Sequence, residues 1–131
     1  MKSRKVKGHL MQKCILVIED DTQIRFLLRK NLESEGYRVL EAENGSVGIT
    51  LYQQNAVDLV ITDLIMPEKE GIETIRELKK LNAHVKIIAM SGGGAIEPTQ
   101  YLSMAQKLGV LKTFTKPFLR NDILTAVKEL L

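Results

Sequence analysis

The amino-acid sequence predicts an α/β fold, a doubly wound sheet of five parallel strands in the order 2-1-3-4-5 with five helices. Short apolar, β-branched runs alternate five times with segments whose apolar residues have helical spacing, and the connections between them are short. The runs are apolar at successive positions, which is typical of strands buried on both faces between helices. At 131 residues the chain has the length of one domain.

The first three strands and helices follow from these runs and from residues that start or stop a helix. The strands are predicted at 13–18, 37–42 and 57–63, and the helices at 22 to about 35, 45 to about 55 and 68 to 81. Asp21 or Thr22 is suited to cap the first helix and Gly36 to end it, and Asn44-Gly45 turns the chain into the second. The apolar positions with helical spacing are Ile24, Leu27, Leu28 and Leu32 in the first helix, and Ile72, Ile75, Leu78 and Leu81 in the third.

The last two strands are predicted at 85–90 and 110–115, with helices from about 98 to 108 and from Asn121 or Asp122 to the end of the chain. A glycine run follows the fourth strand, and Lys116-Pro117 closes the fifth. A Lys-Pro bond has a raised chance of being cis, although trans is the commoner form.

The positive charge of this chain lies at its start. Residues 1–13 carry five bases and no acid, so residues 14–131 hold 14 of the 19 bases against all 16 acids, a net charge of −2. We therefore expect no direct contact with nucleic acid. Residues 1–12 are predicted to be a basic leader, either disordered or added for expression, rather than an interaction arm, and residues 13–131 to be the folded domain.

Two further observations concern the compartment. No apolar run approaches the roughly 20 residues needed to cross a bilayer, and no signal-peptide pattern is present, so we expect a cytoplasmic protein without membrane insertion. The single cysteine, Cys14, lies in an apolar run and is predicted to be a small buried hydrophobe.

Acidic residues follow two strands that the predicted order makes neighbours. Glu19, Asp20 and Asp21 follow the first strand, and Asp63 ends the third. Ligands of such sheets lie in the crevice beyond the carboxyl ends of the strands, where the strand order reverses. Clustered carboxylates suit a hard cation, Mg²⁺ above all, with Mn²⁺ as a substitute. A solvated helix start is the alternative; it explains Asp21, but not an acid pair that faces Asp63.

Three more residues are predicted at this edge of the sheet. Ser91 ends the strand beside Asp63, Lys116 ends the fifth strand, and Gly92 begins a glycine run whose amides could line a phosphate-binding concavity. The glycine run alone is also compatible with a flexible turn, and Lys116 alone with a solvated lysine. Together they predict phosphoryl transfer, in which Asp63 attacks phosphorus and forms an aspartyl phosphate. The cation and Lys116 would balance the charge, and Ser91 would hydrogen-bond a phosphoryl oxygen.

Four blocks of the sequence resemble the motif blocks of bacterial two-component response-regulator receiver domains, whose fold is flavodoxin-like, or CheY-like. The blocks are residues 15–21, 62–67 with Gly71, 87–92 and 115–118, and the resemblance covers residues 13–131. It implies that Asp63 is the phosphoacceptor, Glu19 and Asp20 the metal-site acids, Ser91 the switch hydroxyl and Lys116 the phosphoryl contact. It also implies that the backbone carbonyl of Ile65 is a further Mg²⁺ ligand.

The resemblance implies the partners as well. A sensor histidine kinase or phosphotransfer protein would donate the phosphoryl group, and a downstream target protein would recognise the altered surface in a phosphorelay. The protein would be a switch rather than an enzyme, with slow autodephosphorylation. Because the sequence ends within the fifth helix, a stand-alone receiver is expected, although a receiver excised from a longer protein would look the same.

The sequence departs from the family pattern at two places. The aromatic residue usual three positions before the lysine is replaced by Thr113, and Phe114, one place later, is expected to face elsewhere. Signalling would then depend on loop movement rather than on coupling between a hydroxyl and an aromatic ring. The second departure is the span from Ser91 to Lys116, 25 residues, which is about three more than the compact pattern, with the extra length in the glycine-rich loop.

Two other functions are compatible with parts of the pattern. A pseudo-receiver would bind partners without phosphate, but such proteins typically lack some of the acids or the lysine, all of which are present here. An aspartyl-phosphate phosphatase of the haloacid dehalogenase type would need a second Asp two residues after the nucleophile, and Ile65 occupies that position.

Overall fold

The computed structural model describes residues 12–64, 70–92 and 98–131. The strands are β1 (Cys14–Ile18), β2 (Arg38–Ala42), β3 (Leu59–Asp63), β4 (Ile87–Ser91) and β5 (Lys112–Thr115). The helices of the described residues are α1 (Thr22–Ser34), α2 (Gly45–Gln54), α3 (Glu70–Leu81), α4 (Pro98–Lys107) and α5 (Arg120–Leu130). All strand pairs are parallel and the order is β2-β1-β3-β4-β5, which confirms the predicted fold class. The predicted leader falls outside the described residues except for Gln12.

The sheet is covered on both faces, as its strands require. Along β1, Leu16 and Ile18 point into a core cluster with residues of α3 and α4, while Ile15 and Val17 point into a second cluster with residues of α1 and α5. Every residue of β1, β3 and β4 is buried. Cys14 belongs to this buried set and is a free thiol, as predicted. No helix in the described part of the chain is both long and apolar enough to span a bilayer.

Side chains cap the first two helices, and the cap of α1 is Asp21, one of the two predicted residues. Asp21 accepts hydrogen bonds from the amides of Gln23 and Ile24, at 2.9 and 3.1 Å, and so satisfies two amides of the first turn of α1. Asn44 does the same for α2 through the amide of Val47, at 2.8 Å. These caps fix where each helix leaves the carboxyl edge of the sheet.

Some details differ from the sequence-based expectation. Leu27 in α1 and Leu81 in α3 are 57% and 45% exposed, although both follow the helical spacing of buried neighbours. Each helix buries only a stripe against the sheet; Leu27 lies about 100° around the helix from the buried Leu28, and Leu81 is the last residue of its helix. The last helix begins at Arg120 rather than at 121 or 122, without a side-chain cap, and the Lys116–Pro117 bond is cis.

Candidate functional site

The predicted site residues meet at the carboxyl ends of four adjacent strands. Parallel pairing places Ile18 opposite Thr62, Asp63 opposite Met90 and Ser91 opposite Thr115. The residues that end or directly follow these strands therefore share one edge of the sheet. They are Glu19 after β1, Asp63 in β3, Ser91 in β4 and Lys116 after β5.

Three carboxylates converge at this edge. Glu19, Asp20 and Asp63 each offer an oxygen, and these oxygens all lie within 4.8 Å of one another. Glu19 and Asp63 are buried, at 0% and 3% exposed, whereas Asp20 is exposed. A set of carboxylate oxygens open to solvent on one side fits Mg²⁺, which prefers oxygen ligands and keeps several of its waters. Ile65, whose carbonyl was predicted as a further ligand, lies outside the described residues.

Lys116 crosses the same edge to reach two of these acids. Its Nζ lies 2.6 Å from Oε1 of Glu19 and 3.2 Å from Oδ2 of Asp63, and its side chain is 16% exposed. The carboxylates of Glu19 and Asp63, with oxygens within 4.8 Å of each other, would repel each other if both were charged, and the ammonium group that contacts both offsets that repulsion. The lysine is therefore a counter-ion of the acidic cluster as well as a candidate phosphate ligand.

The two partners of this contact have shifted pKa values. Burial raises the pKa of Glu19 to about 7, although hydrogen bonds from Lys116 and from the amide of Asp21 act in the opposite direction. Burial lowers the pKa of Lys116, but its hydrogen bond to Glu19 and the charges of Asp63 and Glu19 outweigh that effect, and the net direction is upward. Lys116 thus stays charged at neutral pH, while Glu19 binds a proton more readily than an exposed glutamate.

Ser91 brings an unpartnered hydroxyl to the site. The residue is completely buried, and its Oγ has no hydrogen-bond partner within the described residues. A buried hydroxyl without a partner carries a free-energy cost, which a ligand oxygen would remove. The main chain of the same residue is fixed, because the Ser91 carbonyl accepts a hydrogen bond of 2.6 Å from the amide of Lys116.

Gly92 allows β4 and β5 to approach each other at this point. A Cβ atom built on Gly92 would lie 2.8 Å from the amide nitrogen of Lys116 and 2.9 Å from its carbonyl oxygen. These are backbone atoms that cannot easily move, so a side chain does not fit at position 92. The structure explains the glycine by this packing, and a role for its amide in phosphate binding stays a prediction. Gly93 and Gly94 lie outside the described residues.

A cavity of about 580 Å³ opens at the acidic edge and extends along α1. Its polar end is formed by the acids and Lys116, and its wall is apolar. The wall residues come from α1 and from the segment after β5: Ile24, Leu27, Leu28, Pro117 and Phe118. The cavity therefore joins a charged end to a largely apolar wall.

Thr113 and Phe114 point to opposite faces of β5, as successive residues of a strand do. Thr113 is half-buried and pairs with Ala89, whereas Phe114 packs against the core cluster under α1 and α5. The Phe114 ring makes an edge contact with Phe118, with 6.4 Å between the ring centroids. The expectation that Phe114 points elsewhere is confirmed.

Sequence reasoning missed one residue beside the site. Nη1 of Arg25, in the first turn of α1, donates a hydrogen bond of 2.7 Å to the main-chain carbonyl of Glu19. Nothing in the sequence marks this arginine, because its partner is a backbone atom and the spacing of charges around it is that of an ordinary solvated helix face. The one weak signal is that Arg25 lies four residues after the Asp21 cap, which places it in the first turn of α1, close to the residues that follow β1.

Comparison with known proteins gives consistent matches along nearly the whole chain. Residues 15–128 match the family model described as response regulator receiver domain. Sporulation initiation phosphotransferase F of Bacillus subtilis is 32% identical over 122 residues, which are 93% of this chain and 96% of that protein. Chemotaxis protein CheY of Halobacterium salinarum is 35% identical over 121 residues, covering 92% of this chain and 98% of that one.

Solved structures of receiver domains match the fold of this chain as well. A response regulator receiver domain protein from Clostridium thermocellum superposes with a TM-score of 0.82 at 31% identity, covering 90% of this chain and 93% of that one. Response regulator protein TrrA from Thermotoga maritima, in complex with Mg²⁺-BeF, gives a TM-score of 0.80 at 33% identity, covering 92% and 100% of the two chains.

Proposed function

The chain belongs to the response regulator receiver domain family of two-component signalling, and from this membership we propose that it is a phosphoacceptor switch phosphorylated at Asp63. One observation supports the proposal above the others. The buried carboxylate of Asp63 lies beside two further acids and 3.2 Å from the Lys116 ammonium, at the same strand edge as an unpartnered buried hydroxyl. This arrangement combines a nucleophile, a cation site and phosphoryl-oxygen partners.

The proposed reaction is transfer of a phosphoryl group from a phosphohistidine. A carboxylate oxygen of Asp63 attacks phosphorus, the P–N bond breaks, the leaving imidazole keeps the electron pair and takes up a proton, and an acyl phosphate remains on Asp63. Mg²⁺, or Mn²⁺ in its place, would be held by Glu19, Asp20, Asp63 and the Ile65 carbonyl, and supplies positive charge against the phosphoryl oxygens when bound.

The protein's own groups have separate tasks in this reaction. Lys116 pairs its ammonium with a phosphoryl oxygen, and the Ser91 hydroxyl, which has no partner within the described residues, donates a hydrogen bond to another. Gly92 keeps the edge free of side-chain atoms. Because Ile65 stands where a phosphatase of the haloacid dehalogenase type has its acid, hydrolysis is slow and the phosphoryl group serves as a signal.

The proposed phosphodonor is a sensor histidine kinase or a phosphotransfer protein. The apolar wall of the cavity, formed by α1 and the segment after β5, supports a protein donor, since a small phosphorylated metabolite would leave that wall uncovered. A downstream target protein would recognise the phosphorylated form. The folded receiver is proposed to span residues 13–131 and to act in the cytoplasm.

The acyl phosphate carries a charge of roughly −1.5 to −2 in place of the single negative charge of the Asp63 carboxylate, beside two further acids. Lys116 and Ser91, whose main chains are hydrogen-bonded to each other, would both turn toward the new group. With Thr113 in place of an aromatic residue, the change would reach the surface through the loop that follows β4. A shift of a few kcal/mol between two surface states is sufficient for such a switch.

The test is intact mass spectrometry after incubation with a small acyl phosphate and Mg²⁺. We expect a phosphate-sized mass gain in the wild-type chain and none in Asp63→Asn or after chelation of the metal. Asp122→Asn is a matched control, because Asp122 is an acid in the first turn of α5 that is not among the three converging carboxylates, and this variant should gain the same mass as wild type.

A phosphate-sized mass gain that persists in Asp63→Asn would contradict the assignment of Asp63 as the phosphoacceptor. No gain in any sample, with the small donor and with a histidine kinase, would favour the pseudo-receiver, which binds its partners without phosphate.

A further inference from the structure

The guanidinium group of Arg25 joins three elements beside the acidic site. Its Nε donates to Oε1 of Glu41 at 3.2 Å, and its Nη1 donates to the main-chain carbonyl of Glu19 at 2.7 Å. Glu41 lies on β2 opposite Val17 of β1. With its side chain only 16% exposed, Arg25 connects the start of α1, the end of β2 and the residue that follows β1.

Glu19 is held at four atoms, and each contact fixes a different part of it. Its amide donates to the carbonyl of Ala42 at 3.0 Å, and its two carboxylate oxygens accept from Lys116 Nζ and from the Asp21 amide at 2.6 and 3.0 Å. Among the hydrogen bonds of the described residues, the contact with Arg25 is the one that reaches the Glu19 carbonyl oxygen. Because the peptide unit is planar, that contact sets the plane of the bond that joins Glu19 to Asp20.

We propose that Arg25 is a positioning residue for the metal-binding acid pair. Asp20 is exposed, so packing does not hold its side chain, and the backbone sets the direction of its Cα–Cβ bond and therefore where its carboxylate can reach. By holding the Glu19–Asp20 peptide, Arg25 keeps the Asp20 oxygen near those of Glu19 and Asp63. The inference rests on the proposed function, because it assumes that these acids bind a divalent cation.

The charge of Arg25 and its proposed positioning role predict opposite changes in metal affinity when the arginine is removed. Arg25 is a cation close to the proposed cation site, so its loss should tighten metal binding if charge were all that mattered. If Arg25 acts by position, its loss should weaken metal binding despite that charge effect. Groups that orient metal ligands are typically worth about 10–100-fold in metal affinity. The sign of the change therefore separates the two accounts.

The test is the dissociation constant of Mn²⁺, measured from the electron paramagnetic resonance signal of the free ion, for the full chain and two variants. Arg29→Met is the matched control for Arg25→Met. Arg29 lies one turn later on α1 and also donates to Glu41, at 2.7 Å, but its described hydrogen bonds and ion pairs do not include Glu19. We expect Arg25→Met to raise the dissociation constant about 10-fold and Arg29→Met to change it less than about two-fold.

Three results would overturn the inference. One is an unchanged or lower dissociation constant in Arg25→Met. Another is equal weakening in Arg25→Met and Arg29→Met, which would indicate general loosening between α1 and β2. The third is a wild-type chain that binds no Mn²⁺, which would also refute the metal site of the proposed function, whereas the first two leave that site intact.

Arg25→Lys keeps the test decisive if Arg25→Met does not fold. A single ammonium group cannot reproduce the two-nitrogen fork that reaches both Glu41 and the Glu19 carbonyl. We therefore expect Arg25→Lys to raise the dissociation constant by about three-fold or more, with Arg29→Lys unchanged. Wild-type affinity in Arg25→Lys would refute the inference.

Discussion

The Nζ atom of Lys116 lies 2.6 Å from Oε1 of Glu19, a residue 97 positions earlier in the chain. This contact ties the end of β5 to the end of β1 across the two strands between them. The same ammonium reaches Asp63 at 3.2 Å. A divalent cation bound at this cluster would therefore share its carboxylates with Lys116, which is the counter-ion of the acidic cluster in this structure.

Replacing Lys116 by Met should lower the free energy of unfolding by about 3 kcal/mol in metal-free buffer, because buried acids lose their partner. Mg²⁺ should restore part of the loss by binding to the folded state. Urea denaturation with and without Mg²⁺ measures both effects. Lys112→Met is the control, since Lys112 pairs with Glu129 at the surface, where both side chains are at least 40% exposed, and its loss should cost under about 1 kcal/mol. Equal losses in the two variants would contradict the counter-ion role.

Stability should depend on pH through Glu19. Its pKa is raised from 4.5 to about 7 in the folded chain, so between these values the folded state binds more protons at Glu19 than the unfolded state does. The contribution of Glu19 to the free energy of unfolding therefore falls as the pH rises through this window. Urea denaturation at pH 5 and pH 8 should show wild type losing stability relative to Glu19→Gln. A constant difference between the two proteins would refute the shift.

Mutation of Ser91 should separate stability from phosphate capture. Because its buried hydroxyl has no partner within the described residues, Ser91→Ala should leave the free energy of unfolding unchanged or raise it by up to about 1 kcal/mol. The same change should slow mass gain from a small acyl phosphate, since a phosphoryl oxygen loses its donor. Loss of stability without slower phosphorylation would indicate that the hydroxyl is structural.

Gly92→Ala should lower the free energy of unfolding more than the same change at Gly36, where the Cβ position is open. The new Cβ would contact the Lys116 backbone at 2.8–2.9 Å, so we expect a loss of about 2–4 kcal/mol and displaced strand ends. Gly36, with φ +92° and no atom within 4 Å of its Cβ position, is the matched control, and Gly36→Ala should cost only about 1 kcal/mol. Thermal or urea unfolding of both variants checks the order, and a reversed order would contradict the close approach.

Two adjacent leucines of α1 should separate core packing from partner binding. Leu28 is 1% exposed and Leu28→Ala should cost about 3 kcal/mol, whereas Leu27 is 57% exposed and Leu27→Ala should cost less than about 0.5 kcal/mol. Leu27→Ala should still slow phosphorylation by a histidine kinase, because Leu27 lines the apolar wall of the cavity. Phosphorylation by a small acyl phosphate is the internal control and should be unaffected. Equal rates with the kinase would argue against docking at this wall.

Much of the fold and site could be predicted because both depend on the ends of strands. The apolar runs indicate the strands, and their alternation with helices indicates a parallel sheet. The predicted order of that sheet then brings Glu19 and Asp63 to neighbouring positions. Ser91 and Lys116 follow by the same rule. The resemblance to receiver domains then gave these residues their proposed roles.

The remainder depends on contacts that a sequence pattern does not contain. Helical spacing shows which residues share a side, but the exposure of Leu27 depends on how the helix rests on the sheet. The proposed role of Arg25 depends on a backbone carbonyl beyond the start of its helix, and that of Gly92 depends on backbone atoms of Lys116 on another strand end. Lys116 lies closer to Glu19 than to Asp63 by a few tenths of an ångström, a difference that a sequence pattern cannot predict.

The position of β3 has a consequence for how a signal would leave this molecule. β3 has a hydrogen-bonded strand on each side and is buried at every residue, so Asp63 ends the central strand of the sheet. Segments enclosed in this way open only with global unfolding, whereas edge segments open locally at little cost. A chemical change at Asp63 would therefore begin where local opening costs the most free energy, and we expect its motion to appear in the connection that follows β4 and in the four-residue edge strand β5.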